Sequence, residues 1–151
     1  METKRSYKSF SYENNVTWKS ARRGVVGAAG KPDLEVSSPP EFKGEAGIWT
    51  PEDLFVGALN TCILMTFVAF ATQKGLEFAS YECRAEGKLE FVEGKYRFTE
   101  VKLYPQVVVK STADVERAKN ILESAHANCF ISNSISSAVT LTPEVRVAAG
   151  I

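Results

Sequence analysis

The longest uncharged stretch of the sequence predicts one long apolar helix. Residues 54–72 contain no charged side chain, and as a helix they would span about 28 Å, close to the thickness of a bilayer core. Asn60, Thr61 and Thr66 interrupt the apolar run, and no basic cluster flanks one end of it. Because helices that are apolar nearly all round also occur inside soluble proteins, we interpret this one as a core helix.

The four residues before residue 54 are typical of a helix N-terminus. Thr50 can cap the helix, Pro51 suits the first helical position, and Glu52 and Asp53 complement the positive end of the helix dipole. Asp53 stands where the acid of a capping box would stand. Gly75 is expected to end the helix.

Shorter patterns on either side of this helix predict strands and a second helix. Residues 7–38 are rich in β-favouring and turn-forming types and should form short strands, and the Pro- and Gly-rich residues 38–48 should form a loop. After the long helix we expect these elements: strands at 78–91 and 96–109 joined by a hairpin turn, a helix opened by Thr112, a short helical or looped segment at 128–137, and a strand at 139–147 with Pro143 at an edge or bulge. This order indicates the α+β class, as one domain over residues 1–151.

The composition narrows the class of protein further. Eighteen Lys and Arg residues balance eighteen Asp and Glu residues, which argues against a basic surface for nucleic acid. Three cysteines are too few, and odd in number, for a secreted disulfide scaffold, and the start METKRSYKSF lacks the apolar stretch of a signal peptide. We therefore expect a cytoplasmic protein with no nucleic-acid and no membrane partner.

The three cysteines occur in different settings. Cys83 alternates with charged residues between Tyr81 and Ala85, so it is expected to face the core from a strand. Cys62 lies in the middle of the apolar helix and Cys129 continues the apolar face of the second helix. By position alone both are packing residues. The segment AHANCFISN, however, places the only histidine and several amide and hydroxyl groups around Cys129.

Cys62 and Cys129 could meet if the two helices pack through their apolar faces. Such a pair supports peroxide chemistry, in which one thiolate attacks the O–O bond and becomes a sulfenic acid, and the second thiol condenses with it to a disulfide. The attacking thiol needs a nearby cation or dipole to ionise near neutral pH. Arg22 and Arg23 are candidate cations, and Glu52 is a candidate acid partner for a buried Arg.

Two spaced motifs resemble those of the OsmC/Ohr family of thiol-dependent peroxide reductases. TPEDLF, with Cys62 ten residues after Glu52, resembles the first family motif (Asn-Pro-Glu, an apolar helix, then Ala-Cys), and AHxxCxxSN around Cys129 resembles the second. The resemblance covers nearly the whole chain. The sequence differs from the family pattern by Thr50 in place of Asn and by Phe130 where a Pro commonly follows the second Cys.

The resemblance implies roles for these residues and a mode of assembly. Cys62 would be the peroxidatic thiol and Cys129 the resolving thiol. Glu52 would hold the catalytic arginine, which falls on Arg22 or Arg23 with a preference for Arg23. Family members are α+β intertwined homodimers with long buried central helices, antiparallel β-sheets and two active sites at the subunit interface. The resemblance also implies reduction of organic hydroperoxides to alcohols through a Cys62–Cys129 disulfide, with a dithiol reductant of lipoyl type and without metal or cofactor.

Helix geometry adds one hypothesis about the assembly. Glu52 and Cys62 are ten residues apart on one helix, hence about 15 Å apart along its axis. They cannot touch within that helix. If both belong to one site, two such helices paired antiparallel across a two-fold axis would bring Glu52 of one subunit to Cys62 of the other.

Two alternatives stay open from the residues alone. Zinc could be bound by His126 and Cys129, with Cys62 as a third ligand. The other alternative is a non-catalytic dimer that binds small apolar ligands, its cysteines being structural. Aromatic residues such as Trp18 and Trp49 could line an acyl-sized pocket in such a protein, although singly they are expected to lie in the core.

Overall fold

The computed structural model describes residues 7–149 and confirms the α+β class. The chain forms two compact units that divide between Asp53 and Leu54. That residues 1–151 act as one domain stays a prediction. Residues 1–6, part of the segment expected to lack a signal peptide, and residues 150–151 lie outside the described residues.

The first unit is built on a three-stranded antiparallel sheet with the strand order β1-β2-β3. The strands are β1 (Asn15–Ser20), β2 (Arg23–Gly27) and β3 (Leu34–Ser37), which confirms the short strands expected in residues 7–38. A loop follows, as its prolines and glycines predict, and it contains one 3-10 turn at Pro40–Phe42.

Both tryptophans of this unit are exposed, so the expectation that they lie in the core is wrong. Trp18 on β1 is 73% exposed and Trp49 is 52% exposed. β1 is the edge strand of a small sheet, and the only helix among residues 7–50 is the 3-10 turn. Nothing in that segment is large enough to cover the faces of β1, and the Trp18 indole N–H donates instead to the Ala21 carbonyl oxygen at 3.1 Å.

The long helix α1 (Pro51–Gln73) begins and ends where the sequence predicts. The capping box is complete, because the Asp53 amide donates to Thr50 Oγ1 at 3.0 Å and the Thr50 amide donates to Asp53 Oδ2 at 3.0 Å. Gly75 adopts the left-handed φ of 65° that terminates helices.

Only one face of α1 is buried in the single chain. Its fully buried side chains recur every four residues: Leu59, Ile63, Phe67 and Ala71. On other faces Met65 is 57% exposed and Val68 is 37% exposed. By length and composition α1 could cross a membrane, but a buried stripe at this spacing is the packing of a core helix. The long central helix is therefore confirmed, and its complete burial in a homodimer stays a prediction.

The second unit contains a long hairpin of β4 (Phe78–Val92) and β5 (Lys95–Val109). Its two-residue turn uses left-handed backbone at Glu93, with φ of 52°, and Gly94, with φ of 84°. This is the turn predicted between the two strands.

The final strand predicted at 139–147 is in fact two strands, β6 (Ala138–Leu141) and β7 (Glu144–Val147). Both pair with β5 in parallel, so this sheet is mixed and only its β4–β5 pairing is antiparallel. The break includes Pro143, which has no amide hydrogen for the ladder. The Thr142 amide donates to the Leu103 carbonyl oxygen at 2.8 Å.

The helix α2 (Asp114–Ala127) packs with α1 and the mixed sheet around the main core. Thr112 does not cap it, contrary to the prediction, because Ala113 already has helical backbone and occupies the cap position. The core cluster nearest α2 consists of these buried residues: Phe67, Ala71, Leu76, Val107, Val109, Ala118, Ile121, Leu122 and Ala125. A second cluster contains Leu59, Ile63, Val101, Leu103 and Cys129.

Candidate redox site

The structure brings Cys62 and Cys129 together in the second core cluster, as the packing of the two helices predicts. Cys129 is fully buried in that cluster, and Cys62 packs against it from α1. Each thiol shifts the pKa of the other, and neither is in a disulfide.

The surroundings of the Cys62 thiol act on its pKa in opposite directions. Burial works to raise that pKa, but hydrogen bonding by the Cys129 thiol, the Ile131 amide, the Thr66 hydroxyl and the Phe130 amide outweighs burial and holds the pKa below its ordinary value. Thr66 Oγ1 lies 4.0 Å from Cys62 Sγ and donates to the Cys62 carbonyl oxygen at 2.8 Å.

The pKa of the Cys129 thiol is shifted in the opposite direction. Burial, followed by the hydrogen bond to Cys62, raises the pKa of the Cys129 thiol to about 11, although the Ser132 amide, 3.4 Å from Sγ, works to lower it. Cys129 is therefore a thiol at neutral pH, and its S–H can donate to a Cys62 thiolate. The environment therefore shifts the pKa values of the two thiols in opposite directions, which is the asymmetry that an attacking and a resolving thiol need.

Cys83 is a half-buried residue of β4, with the alternation predicted from its neighbours. Burial raises the pKa of the Cys83 thiol, so it too stays protonated at neutral pH. The Asn60 side-chain amide donates to the Cys83 carbonyl oxygen at 3.0 Å.

The candidate arginines lie at the turn from β1 to β2 and at the start of β2. Arg22 is exposed. The Arg23 side chain is 42% exposed and is paired with Glu45 through Nε and with Glu35 at 3.8 Å. The hydrogen bond and charge of Glu45 raise the pKa of Arg23. Within the first unit the acid partners of Arg23 are thus Glu45 and Glu35.

Glu52 lies in the first turn of α1, where one of its carboxylate oxygens is unsatisfied. Glu52 Oε2 is buried and has no hydrogen-bond partner among the described residues. A buried carboxylate oxygen without a donor costs free energy, so this atom calls for a partner group. The predicted pairing of Glu52 with an arginine and its service to the site of a second subunit stay predictions.

The zinc alternative has no ligand set in the structure. Among residues 7–149 no group of three or more His, Cys, Asp or Glu side chains could hold a metal ion. His126 lies at the end of α2, where its carbonyl oxygen accepts from the Cys129 amide at 3.4 Å.

Several groups around the thiols were missed by the sequence analysis. Thr66 stands four residues after Cys62 on the same helix, and that spacing could have identified it. The amides of Phe130, Ile131 and Ser132 leave no signal in side-chain types. They contribute through a tight turn whose shape only the folded chain defines.

Comparisons with known proteins identify the family of this chain. A sequence model of the OsmC-like protein family matches residues 44–144. The uncharacterised protein YmaD of Bacillus subtilis is 30% identical over 118 residues, which cover 76% of this chain and 79% of YmaD.

Solved structures have the same fold. An OsmC-like protein of unknown function from Vibrio cholerae superposes with a TM-score of 0.82 at 27% identity, covering 89% of this chain and 99% of its own. An organic hydroperoxide resistance protein from Elizabethkingia anophelis superposes with a TM-score of 0.69 at 20% identity, covering 95% and 100% of the two chains. With the family match spanning both Glu52 and the cysteine pair, the chain belongs to the OsmC-like protein family.

Proposed function

We propose that this protein is a thiol-dependent peroxidase that reduces organic hydroperoxides to alcohols. The observation that carries the proposal is the pair of free thiols that pack in one core cluster, where the pKa of Cys62 is lowered and the pKa of Cys129 is raised from the ordinary value of a cysteine. The organic hydroperoxide resistance protein that shares the fold adds support.

The first step uses Cys62 as the nucleophile. Its thiolate attacks the terminal oxygen of the hydroperoxide, an S–O bond forms, and the O–O bond breaks. Cys62 becomes a sulfenic acid and the alkoxide leaves. The Cys129 thiol, which belongs to the same core cluster as Cys62, supplies the proton that turns the alkoxide into an alcohol.

The second step closes a disulfide. The Cys129 thiolate attacks the Cys62 sulfenic sulfur, an S–S bond forms, and hydroxide leaves as water after taking a proton from solvent. Because Cys62 no longer carries a negative charge after the first step, one cause of the raised pKa of Cys129 is absent, which stabilises the Cys129 thiolate that the proton transfer leaves. A dithiol reductant, such as a lipoyl group, then reduces the disulfide by thiol–disulfide exchange and is itself oxidised.

The surroundings of the pair support an apolar substrate. Partly buried apolar side chains that pack against the same cluster are Phe55, Val56, Ile131, Ile135, Val139 and Leu141. Hydroperoxides with bulky organic groups gain more from such surroundings than hydrogen peroxide does.

A second copy of the chain would complete the site, so we place the activity in a homodimer. The incomplete burial of α1 and the unsatisfied Glu52 Oε2 support this assembly. In it Glu52 would hold a catalytic arginine, and half-exposed Arg23 fits that role better than exposed Arg22. We place the protein in the cytoplasm because its three cysteines are free. A monomeric molecular mass in analytical ultracentrifugation would contradict the proposed homodimer.

The activity is tested by hydroperoxide consumption with a dithiol. Purified protein is mixed with cumene hydroperoxide and dihydrolipoamide, and the same assay is run on Cys62→Ser and on Cys83→Ser. Wild type and Cys83→Ser should consume the hydroperoxide, and Cys62→Ser should not. Consumption that persists in Cys62→Ser would exclude the mechanism. Absence of consumption by wild type would favour the non-catalytic dimer that binds apolar ligands.

A further inference from the structure

The guanidinium of Arg23 has two carboxylates of the first unit beside it. Arg23 Nε donates to Glu45 Oε2, and Arg23 Nη1 lies 3.8 Å from Glu35 Oε1. The contact with Glu45 is a hydrogen bond between charged groups, whereas 3.8 Å is too long for a hydrogen bond. Glu45 therefore fixes the Nε edge of the guanidinium, and the terminal nitrogens keep N–H groups for further acceptors.

The loop after β3 is built so that Glu45 returns to the strand of Arg23. Ser37 is paired with Arg23 across β2 and β3, and the hydroxyl of this buried serine accepts from the Glu45 amide at 3.1 Å. A Cβ on residue 44 would overlap the Ser38 carbonyl oxygen, so the loop can pass this close to Ser38 only with glycine at that position. These contacts determine the place of Glu45 independently of its own side chain.

The exposure of the ion pair argues against a role in stability alone. The Arg23 and Glu45 side chains are 42% and 56% exposed, and exposed ion pairs contribute little to the free energy of unfolding. We propose that Glu45 is a positioning residue, which orients the Arg23 guanidinium for the peroxidase reaction. This inference rests on the proposed function for its catalytic meaning. The family resemblance assigns the arginine one acid, Glu52, and Glu45 is an additional one.

Positioning by Glu45 has a physical advantage for a long side chain. A free arginine side chain samples many rotamers and loses that freedom when it acts on a substrate. The hydrogen bond to Glu45 restricts the rotamers of Arg23 before a substrate arrives, so less entropy is lost in the reaction. Since only the Nε edge is used, the positive charge stays available at the other end of the guanidinium.

The first readout is the exchange of the Arg23 Nε–H hydrogen with solvent, measured by NMR and assigned with Arg23→Lys. Glu45→Ala removes the acceptor and should speed this exchange about fivefold. Glu45→Gln keeps an oxygen acceptor on a side chain of the same length and should speed it less. The matched control is Glu41→Ala, which removes an exposed acid of the same loop and should leave the exchange rate unchanged.

The second readout is kcat/KM for cumene hydroperoxide with dihydrolipoamide as the reductant. A misplaced catalytic group costs about tenfold to a hundredfold in rate, so Glu45→Ala should lower kcat/KM by a factor in this range, and Glu41→Ala should not. The double variant of Arg23→Ala and Glu45→Ala should be no slower than Arg23→Ala, because Glu45 acts through Arg23. A purely structural role of Glu45 would instead give losses that multiply.

Equal exchange rates of the Arg23 Nε–H hydrogen in wild type and Glu45→Ala would overturn the inference. Losses of kcat/KM that multiply in the double variant would overturn it as well. If wild type consumes no hydroperoxide, the proposed peroxidase fails, and faster exchange in Glu45→Ala would still support the positioning of Arg23 by Glu45.

Discussion

The protonation of Cys129 predicts how the stability of the fold depends on alkaline pH. Its thiol is fully buried, and its pKa is about 11 against an ordinary value of 9.0. The folded chain therefore keeps a proton that the unfolded chain releases near its ordinary pKa. The stabilisation is complete below pH 9 and is lost as the pH rises to about 11. Two pKa units correspond to about 3 kcal/mol of unfolding free energy.

Other thiols do not cancel this effect in the same pH range. The lowered pKa of Cys62 gives a stabilisation that is present above its ordinary pKa and is lost at lower pH, so it does not change between pH 9 and 11. The raised pKa of Cys83 acts in the same direction as that of Cys129. A comparison of wild type with Cys129→Ala isolates the contribution of Cys129, because both proteins retain Cys83.

The assay is urea unfolding followed by circular dichroism at pH 8, 9, 10 and 11 with a phosphine reductant. Wild type should lose about 2 kcal/mol more unfolding free energy across this range than Cys129→Ala does, because the folded-state thiol is only half ionised at pH 11. Cys62→Ala should still lose part of this unfolding free energy between pH 8 and 11, because burial, the largest cause of the raised pKa of Cys129, remains in that variant. If the unfolding free energies of wild type and Cys129→Ala changed equally with pH, Cys129 would not have the raised pKa.

Three further predictions concern the fold and the third cysteine. Thr50→Ala and Asp53→Ala should each lower the free energy of unfolding by about 1 kcal/mol in urea denaturation, because each removes the capping box. The double mutant should lose less unfolding free energy than the sum of the two single losses. Gly87→Ala should lower the free energy of unfolding by about 1–3 kcal/mol, because the added Cβ would lie 2.6 and 3.0 Å from side-chain atoms. Gly57→Ala is the control, since its Cβ would have free space. Equal stabilities of the two variants would contradict this prediction. Cys83→Ser should leave the rate of hydroperoxide consumption unchanged, and a tenfold loss would implicate Cys83 in the chemistry.

The elements that the sequence predicts well are those determined by local interactions. Thr50 and Asp53 cap each other across three residues, and Gly94 supplies the left-handed turn of the hairpin. The meeting of Cys62 and Cys129 was also predictable, because each lies on or extends an apolar helix face and those faces pack together.

The features that the sequence misses depend on contacts between distant segments. The parallel pairing of β6 and β7 with β5 is a long-range choice that alternation along one strand does not encode. Trp18 is apolar, but its exposure depends on whether another layer covers β1. The amides that lower the pKa of Cys62 belong to the turn after α2, whose backbone course only the folded chain defines.

Stoichiometric oxidation tests whether Cys62 and Cys129 form the proposed disulfide. Reduced protein is treated with one equivalent of cumene hydroperoxide, the remaining thiols are alkylated, and the peptides are mapped by mass spectrometry without reduction. We predict a Cys62–Cys129 disulfide within one chain, with Cys83 alkylated. A disulfide that includes Cys83, or alkylation of all three cysteines after addition of the peroxide, would exclude the proposed pairing of Cys62 with Cys129.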